Sequence, residues 1–204
     1  MNALKIDFSD GLRLNSGAIF IDRDGVVIED TNYICSPESV RIERGAIRIF
    51  QAAKRYRMKV IIVTNQSGIG RGYYSWGDYL RVTSRMLEML DYPNELVAIY
   101  ANSLVKCSEE TICWRKPSPG MLTAAAKELG IELGMSVLIG DRLSDMQAGY
   151  RAGIKKLVHM QTGHGERERK EVCKFKKYLV DQVDLMLSDD LTNLDFEKLL
   201  GESN

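Results

Sequence analysis

Short apolar runs alternate with amphipathic stretches along most of this chain of 204 residues, and this alternation restricts the fold more than any other feature. β-branched apolar runs predict strands, and apolar residues at helical spacing predict the helices between them. The predicted strands cover 18–21, 59–65, 96–101, 136–141 and 154–160, and the predicted helices cover 45–56, 75–90, 118–130 and 144–153. Strands that alternate with helices form parallel sheets through right-handed crossovers. The sequence therefore predicts a three-layer, Rossmann-like α/β fold with helices on both faces of the sheet.

The two ends of the chain carry weaker signals. Residues 161–180 are rich in charge, which indicates either a charged helix or a solvated loop, and residues 184–200 are expected to add a short edge strand and a closing helix. No internal repeat, low-complexity tract or linker divides the sequence. We therefore expect one domain over 1–204, with an N-terminal extension at 1–16 and a C-terminal segment at 165–204.

The charge balance restricts the partners. Lys+Arg and Asp+Glu are 28 each, so nothing indicates a nucleic-acid or an anionic membrane partner. No apolar run approaches the roughly 20 residues of a membrane span, and the N-terminus lacks the apolar stretch of a secretory signal. We expect a cytoplasmic protein whose four cysteines are reduced thiols. The oligomeric state is left open.

Polar residues follow several predicted strands at the point where each strand ends. Asp22 and Asp24 come directly after the first strand, Thr64 ends the second and Asp141 ends the fourth. Binding sites in open α/β sheets lie outside the carboxyl ends of the strands. These side chains, distant in sequence, are therefore expected to meet at one edge of the sheet.

The expected cluster has the groups that phosphoryl transfer needs. A carboxylate such as Asp22, with an ordinary pKa near ~3.9, is already anionic at neutral pH and can attack phosphorus without an activating base. Because a phosphate monoester is also an anion, the site must supply positive charge. Asp22 and Asp141 can hold Mg²⁺, Lys116 offers an ammonium group, and Thr64 and the backbone N–H groups of the loop after it can bind phosphate oxygens. Asp24 is then available to move the proton.

Four motifs in this order, "DRDG", "VTNQSGIGRG", "CWRKPSPGM" and "IGDRLSDMQAG", resemble the haloacid dehalogenase (HAD) superfamily, and in particular its branch of heptose-bisphosphate and histidinol-phosphate phosphatases. The similarity runs from about residue 17 to residue 163. It implies a Rossmann-like sheet with little or no cap. It also implies that Asp22 is the nucleophile and a Mg²⁺ ligand, that Asp24 is the general acid/base and a ligand through its backbone carbonyl, and that Asp141 is the remaining protein ligand.

The resemblance extends to the substrate. The residues expected to bind phosphate or sugar are Asp30, Thr31, Asn32, Tyr33, Thr64, Asn65, Gln66, Ser67, Arg71, Arg115, Lys116 and Arg142. The implied reaction is Mg²⁺-dependent hydrolysis of D-glycero-D-manno-heptose 1,7-bisphosphate to heptose 1-phosphate through an aspartyl-phosphate, in the synthesis of lipopolysaccharide or another surface polysaccharide. Histidinol phosphate or another sugar phosphate is the alternative substrate.

Two readings from other classes stay open. One is a receiver-like phosphoacceptor switch, although a receiver has its phosphorylated Asp after the third strand, whereas Asp22 follows the first. The other is a non-catalytic binding relative.

One departure from the family pattern concerns zinc. Heptose-bisphosphate phosphatases commonly carry a zinc loop with one His and three Cys, whereas the segment "VKCSEETICWRKP" has only Cys107 and Cys113. Because structural zinc normally has four ligands, no zinc is expected here. The two histidines, His159 and His164, are expected to be structural or exposed rather than part of the reaction.

Overall fold

The computed structural model describes residues 2–107 and 113–201. Within these ranges the chain forms one seven-stranded sheet with the spatial order β1-β4-β3-β2-β5-β6-β7. All neighbouring strands are parallel except for β1, which pairs antiparallel with β4. The strands are β1 (Ala3–Asp7), β2 (Ala18–Ile21), β3 (Lys59–Asn65), β4 (Leu96–Asn102), β5 (Val137–Gly140), β6 (Lys156–Met160) and β7 (Asp184–Ser188).

Helices cover both faces of this sheet. They are α1 (Ala46–Arg55), α2 (Ser67–Gly70), α3 (Trp76–Met89), α4 (Gly120–Leu129), α5 (Leu143–Ala152), α6 (Gly165–Lys176) and α7 (Phe196–Leu200). The cores of α1, α3 and α7 pack in one apolar cluster, and those of α4, α5 and α6 pack in the other. The predicted three-layer α/β fold is confirmed.

The central strand β2 shows why a strand in the middle of this sheet is a continuous apolar run and does not alternate between apolar and polar residues. Its Ile19 and Ile21 belong to the cluster on one face, and its Ala18 and Phe20 belong to the cluster on the other. All four side chains are fully buried. A parallel strand covered on both faces cannot alternate between apolar and polar residues, and for this reason its sequence is uniformly apolar.

The chain ends add four elements, of which strand β1 was not predicted. Strand β1 lies in the N-terminal extension and forms an edge of the sheet, where Lys5 makes ion pairs with Asp7 and Glu128. At the opposite edge, β7 and α7 confirm the edge strand and closing helix expected over 184–200. The charged segment at 161–180 forms helix α6.

Of the connections that leave the carboxyl edge of the sheet, the one from the central strand β2 to α1 is the longest. Over residues 22–45 it is held by isolated bridges, Asp24 to Ile28 and Ile28 to Ile42, and by a single 3₁₀ turn at Pro37–Ser39. In the described part of the chain, this insertion lies beside the site without forming a separate cap domain. None of the helices in the described residues is both long enough and apolar enough to cross a bilayer.

Candidate active site

The nucleophile candidate lies where the central strand ends. The Asp22 backbone N–H donates to the Ile139 carbonyl at 3.0 Å, which ties the turn after β2 to β5. Gly25 completes this turn with φ +84°, and its N–H donates to the Ile28 carbonyl at 2.7 Å. A Cβ atom at Gly25 would lie 2.6 Å from Oδ2 of Asp141. The close approach of the two loops therefore requires glycine.

Lys116 lies beside Asp22 and is 3% exposed. Its Nζ is 3.1 Å from Asp22 Oδ1 and 2.6 Å from Asp145 Oδ1, and it donates to the Val63 carbonyl at 2.7 Å. Two reciprocal hydrogen bonds of 3.1 Å each between Asn65 and the Lys116 backbone fix the loop that carries the ammonium group. Burial alone would lower the pKa of Lys116, but Asp145 and Asp22 outweigh burial and raise it. The side chain is therefore a fixed cation.

Three buried carboxylates share the floor of the site. One oxygen from each of Asp22, Asp141 and Asp145 lies within 4.8 Å of the others. Burial, followed by the negative charges of Asp145 and Asp24, raises the pKa of Asp22 to about 6, even though Lys116 opposes the shift. Burial and the charges of Asp22 and Asp145 also raise the pKa of Asp141 well above its usual range. Ionisation of Asp22 or of Asp141 without a bound cation therefore costs stability.

A divalent cation fits this cluster. Oδ2 of Asp141 accepts a hydrogen bond of 2.7 Å from the His164 backbone N–H, whereas its buried Oδ1 has no hydrogen-bond partner among the described residues. Buried polar atoms are normally paired, so this oxygen is available as a ligand. A hard cation such as Mg²⁺ prefers such carboxylate oxygens. Asp145 is less available, because it binds Lys116 and accepts from the Arg142 backbone N–H at 3.0 Å.

Asp24 is held beside the cluster by two donors. Arg23 donates to it through Nε at 3.0 Å and Nη2 at 2.9 Å, and Gln66 Nε2 donates to its other oxygen at 2.7 Å. Gln66 also donates to Thr64 Oγ1 at 2.8 Å. The Arg23 guanidinium is 1% exposed and lies 4.7 Å from the centroid of the Tyr79 ring. The sequence analysis did not single out Arg23; the only signal was a basic residue inside an otherwise buried stretch.

A cavity of about 350 Å³ opens above these groups. Most of the predicted site residues line it, namely Asp22, Asp24, Asp30, Asn32, Tyr33, Asn65, Ser67, Arg115, Lys116 and Arg142. The wall also includes residues that were not predicted to bind substrate: Ile34, Tyr74, Pro117, Ser144 and His164.

The remaining predicted residues lie outside the wall. Thr64, Gln66 and Asp141 are buried behind it, and Thr31 and Arg71 are exposed. Tyr74 explains why Gln66 is covered, because the Tyr74 hydroxyl donates to Gln66 Oε1 at 2.6 Å.

The mouth of the cavity is cationic. Arg115 donates to the Leu104 carbonyl at 2.9 Å. Burial, followed by the positive charges of Arg71 and Arg142, lowers the pKa of Arg115. The positive charges of Arg71 and Arg142 are therefore felt at Arg115, which favours binding of an anion beside Arg115.

One expectation needs correction, and one residue gains a place in the site. His164, which was expected to be structural or exposed, lines the cavity, and its Nε2 lies 3.0 Å from Oδ2 of Asp30. Cys107 and Cys113 are joined as a disulfide, so the prediction of reduced thiols is wrong for this pair. Both sulfurs lie 3.8 Å from the Arg115 carbonyl oxygen. Cys35 and Cys173 are free.

The comparisons with known proteins agree with this geometry. The HAD-hydrolase-like family model matches residues 113–185. A D-glycero-α-D-manno-heptose-1,7-bisphosphate 7-phosphatase from Photorhabdus laumondii is 35% identical over 166 residues, which cover 74% of this chain and 86% of that protein. The chain belongs to the HAD-like hydrolases. The family and its relatives identify it as a phosphatase, so the predicted resemblance and the predicted enzyme class are confirmed.

Further relatives of this HAD-like phosphatase refine the comparison. A D-glycero-β-D-manno-heptose-1,7-bisphosphate 7-phosphatase from Mesorhizobium japonicum is 36% identical over 147 residues. The matched region covers 67% of this chain and 66% of that protein, which is just under two thirds of that protein's length. The crystal structure of a D,D-heptose 1,7-bisphosphate phosphatase from B. bronchiseptica, complexed with magnesium and phosphate, is 26% identical. It superposes with a TM-score of 0.74 over 92% of this chain and 99% of that one. Relatives named for both anomers of the sugar are thus similar to this chain.

Proposed function

We propose that this phosphatase removes the 7-phosphate of D-glycero-D-manno-heptose 1,7-bisphosphate in a Mg²⁺-dependent reaction and leaves heptose 1-phosphate, a precursor suited to surface-polysaccharide synthesis. The observation that carries the proposal is a single cavity with a phosphoryl-transfer floor, formed by Asp22, Lys116 and Asp141, and a mouth of arginines. The names of the relatives support the choice of sugar.

The floor of the cavity accounts for the chemistry. Asp22 attacks phosphorus, the bond to the sugar oxygen breaks, and an aspartyl-phosphate forms. Asp24 gives its proton to the leaving oxygen and then takes one from the water that hydrolyses the intermediate. Lys116, held 3.1 Å from Asp22, neutralises part of the charge that develops on the phosphoryl oxygens.

Asp22, Asp141 and the backbone carbonyl of Asp24 are the groups proposed to hold Mg²⁺. When bound, the ion supplies the positive charge that lets an anionic carboxylate approach an anionic phosphate. It would also favour the ionised forms of the buried carboxylates, whose pKa values are raised by burial and by one another.

The mouth supports a substrate with two anionic groups. A phosphate beside Arg115 would offset the positive charges of Arg71 and Arg142 that act on that guanidinium. The cavity volume of about 350 Å³ lies within the range of roughly 300–1,000 Å³ that is usual for small-molecule sites. A substrate with one phosphate and a small leaving group would leave the mouth unfilled.

The test is phosphate release from a panel containing both anomers of heptose 1,7-bisphosphate, fructose 1,6-bisphosphate and histidinol phosphate, with Mg²⁺ or with EDTA. We expect the highest kcat/KM with one heptose anomer and no turnover in EDTA. Arg115→Ala should raise the KM for the bisphosphate by at least about tenfold, as expected when a charged hydrogen bond is lost. Arg85→Ala is the control, because Arg85 is an exposed arginine that pairs with Glu88 on α3.

Several results would contradict the proposal. A preference for histidinol phosphate would indicate the alternative substrate. Full activity after exhaustive chelation would exclude the metal site. The absence of turnover with every compound in the panel would favour a binding relative.

A further inference from the structure

Two loops that are distant in the chain meet at one carboxylate on the cavity wall. His164 follows strand β6, and Asp30 lies in the insertion after β2. Nε2 of His164 lies 3.0 Å from Oδ2 of Asp30, and both residues line the cavity. Nothing in the sequence motifs assigns His164 a role.

The backbone around His164 is fixed by the metal-site loops. The Thr162 hydroxyl donates to the Gly25 carbonyl, and the His164 N–H donates to Oδ2 of Asp141 at 2.7 Å. Gly163 has φ +55°, and a Cβ atom there would overlap Asp141 Oδ2 and the Gly25 backbone. The His164 backbone is therefore tied to Asp141, while its imidazole contacts Asp30.

Asp30 in turn organises the segment expected to contact the sugar. Its Oδ1 accepts a hydrogen bond of 2.9 Å from the Asn32 N–H. Asn32 and Tyr33 both have positive φ, 65° and 54°, a conformation that costs roughly 1–2 kcal/mol per residue and must be held by contacts. Tyr33 is held further by an edge contact with Tyr73, whose ring centroid is 4.9 Å away.

His164 is the closer of two cationic or polar partners of Asp30 Oδ2. Arg142 Nη2 is 3.6 Å from the same oxygen, and its side chain is 40% exposed, against 23% for His164. A carboxylate has about four lone-pair positions. After Asn32, His164 and Arg142 are counted, Asp30 retains acceptor capacity for a hydroxyl group in the cavity.

We propose that His164 is a positioning residue for substrate specificity: it orients Asp30 so that the carboxylate accepts a hydrogen bond from a sugar hydroxyl. The inference rests on the proposed function, because it requires a polyhydroxylated phosphate ester as substrate. His164 contacts none of the reacting atoms. Its removal weakens sugar binding and leaves attack by Asp22 in place.

The test compares His164→Ala and His164→Gln with the wild-type enzyme on two substrates. One is the heptose bisphosphate, and the other is p-nitrophenyl phosphate, which has no sugar hydroxyls. We expect His164→Ala to raise the KM for the bisphosphate by about tenfold with kcat within about threefold, a loss typical of one hydrogen bond to a charged group. The kcat/KM for the bisphosphate divided by that for p-nitrophenyl phosphate should fall by a similar factor. The glutamine, whose amide can still donate to Asp30, should recover most of the loss.

A mutant cycle with Asp30→Asn decides whether His164 acts through Asp30. The double variant should bind the bisphosphate no more weakly than Asp30→Asn alone. Additive losses would overturn the inference, as would an equal loss of kcat/KM on both substrates, which would show that the substitution acts on the metal-site loops. Thermal melts of each variant identify a loss of folded protein.

Failure of the proposed function gives a different result. If wild-type enzyme prefers another sugar phosphate, the heptose assignment is wrong, and the same comparison on the preferred sugar still tests His164. If wild-type enzyme prefers p-nitrophenyl phosphate to every sugar phosphate, both the function and the inference are wrong.

Discussion

Replacing Asp22 with Asn should abolish phosphate release and at the same time stabilise the metal-free protein. Asp22 is 5% exposed and has a pKa of about 6, against an ordinary value of 3.8. At about 1.4 kcal/mol per pKa unit, this difference of roughly 2 units means that ionised Asp22 destabilises the folded state by about 3 kcal/mol. Asparagine has nearly the same shape and no charge.

The sign of the effect depends on pH. The folded carboxyl group holds its proton more tightly than the unfolded one, so the metal-free wild type loses stability as pH rises from about 4 through about 6. Asparagine does not titrate. The variant should therefore exceed the wild type by about 3 kcal/mol at pH 8 and by about half as much at pH 5, and at about 2–4 °C per kcal/mol the gap at pH 8 is roughly 6–12 °C in Tm. Lys116 keeps a partner, because Asp145 remains 2.6 Å away.

The assay is denaturant and thermal unfolding in EDTA at pH 5 and pH 8, together with phosphate release in Mg²⁺. The difference between the two proteins reports the charge of Asp22 together with its effect on the neighbouring carboxyl group of Asp141. Asp145→Asn is the matched control with the opposite expected sign, because it removes the closest ion-pair partner of buried Lys116. A variant at Asp22 that is less stable than wild type at pH 8, or a gap that does not grow with pH, would refute the reasoning. Retained turnover would refute the nucleophile.

Three further substitutions test the surroundings of this cluster. Lys116→Met should lower kcat by at least about 100-fold, because the ammonium group beside Asp22 is lost. It should also destabilise the metal-free protein at pH 8 in denaturant titrations, because Asp22 and Asp145 are left buried without their cation. Gly25→Ala should raise the Mg²⁺ concentration needed for activity, because the added Cβ would lie 2.6 Å from Asp141 Oδ2. Gly153→Ala is the control: Gly153 has a similar φ and no atom within 4 Å of the added Cβ, so this variant should show only backbone strain. Equal Mg²⁺ requirements in the two variants would contradict the prediction. Burial, followed by the charge of Arg169, lowers the pKa of His159 to about 4, so the wild type loses stability as the pH falls from about 6.5 through 4. His159→Gln should therefore lose less free energy of unfolding than the wild type between pH 7 and pH 4 in urea titrations. The same loss in both proteins would count against this prediction.

The inner strands of the sheet were predictable because burial on both faces requires apolar residues along the whole strand. Strands β2 and β4 are buried along their whole length, so their sequences are continuous apolar runs. Strand β1 was missed because it lies at the edge, where its residues are only partly buried and Lys5 and Asp7 face solvent or each other. Its pairing with β4 joins Ala3 to Asn102 through backbone groups, which leave no pattern in the sequence.

The floor of the site was predictable for a related reason. Parallel strands end at one edge, so residues placed directly after them, such as Asp22 and Asp141, were expected to meet. The position of His164 could not be inferred in this way. It depends on the close approach of Gly163 to Asp141 and to Gly25, and Gly25 lies more than a hundred residues earlier in the chain.

The formal net charge of zero conceals a separation of charge that matters for function. Carboxylates gather at the floor of the cavity around Lys116, and arginines gather at its mouth. A doubly phosphorylated sugar can satisfy both regions only if one phosphate lies beside Asp22 with a metal ion and the other lies near Arg115. In the proposed function, the floor and the mouth would therefore orient the substrate, while Asp30 and His164 in the wall would select the sugar between the two phosphates. Substitutions at the floor and mouth are then expected to change which phosphate is removed, and substitutions in the wall are expected to change which sugar is accepted.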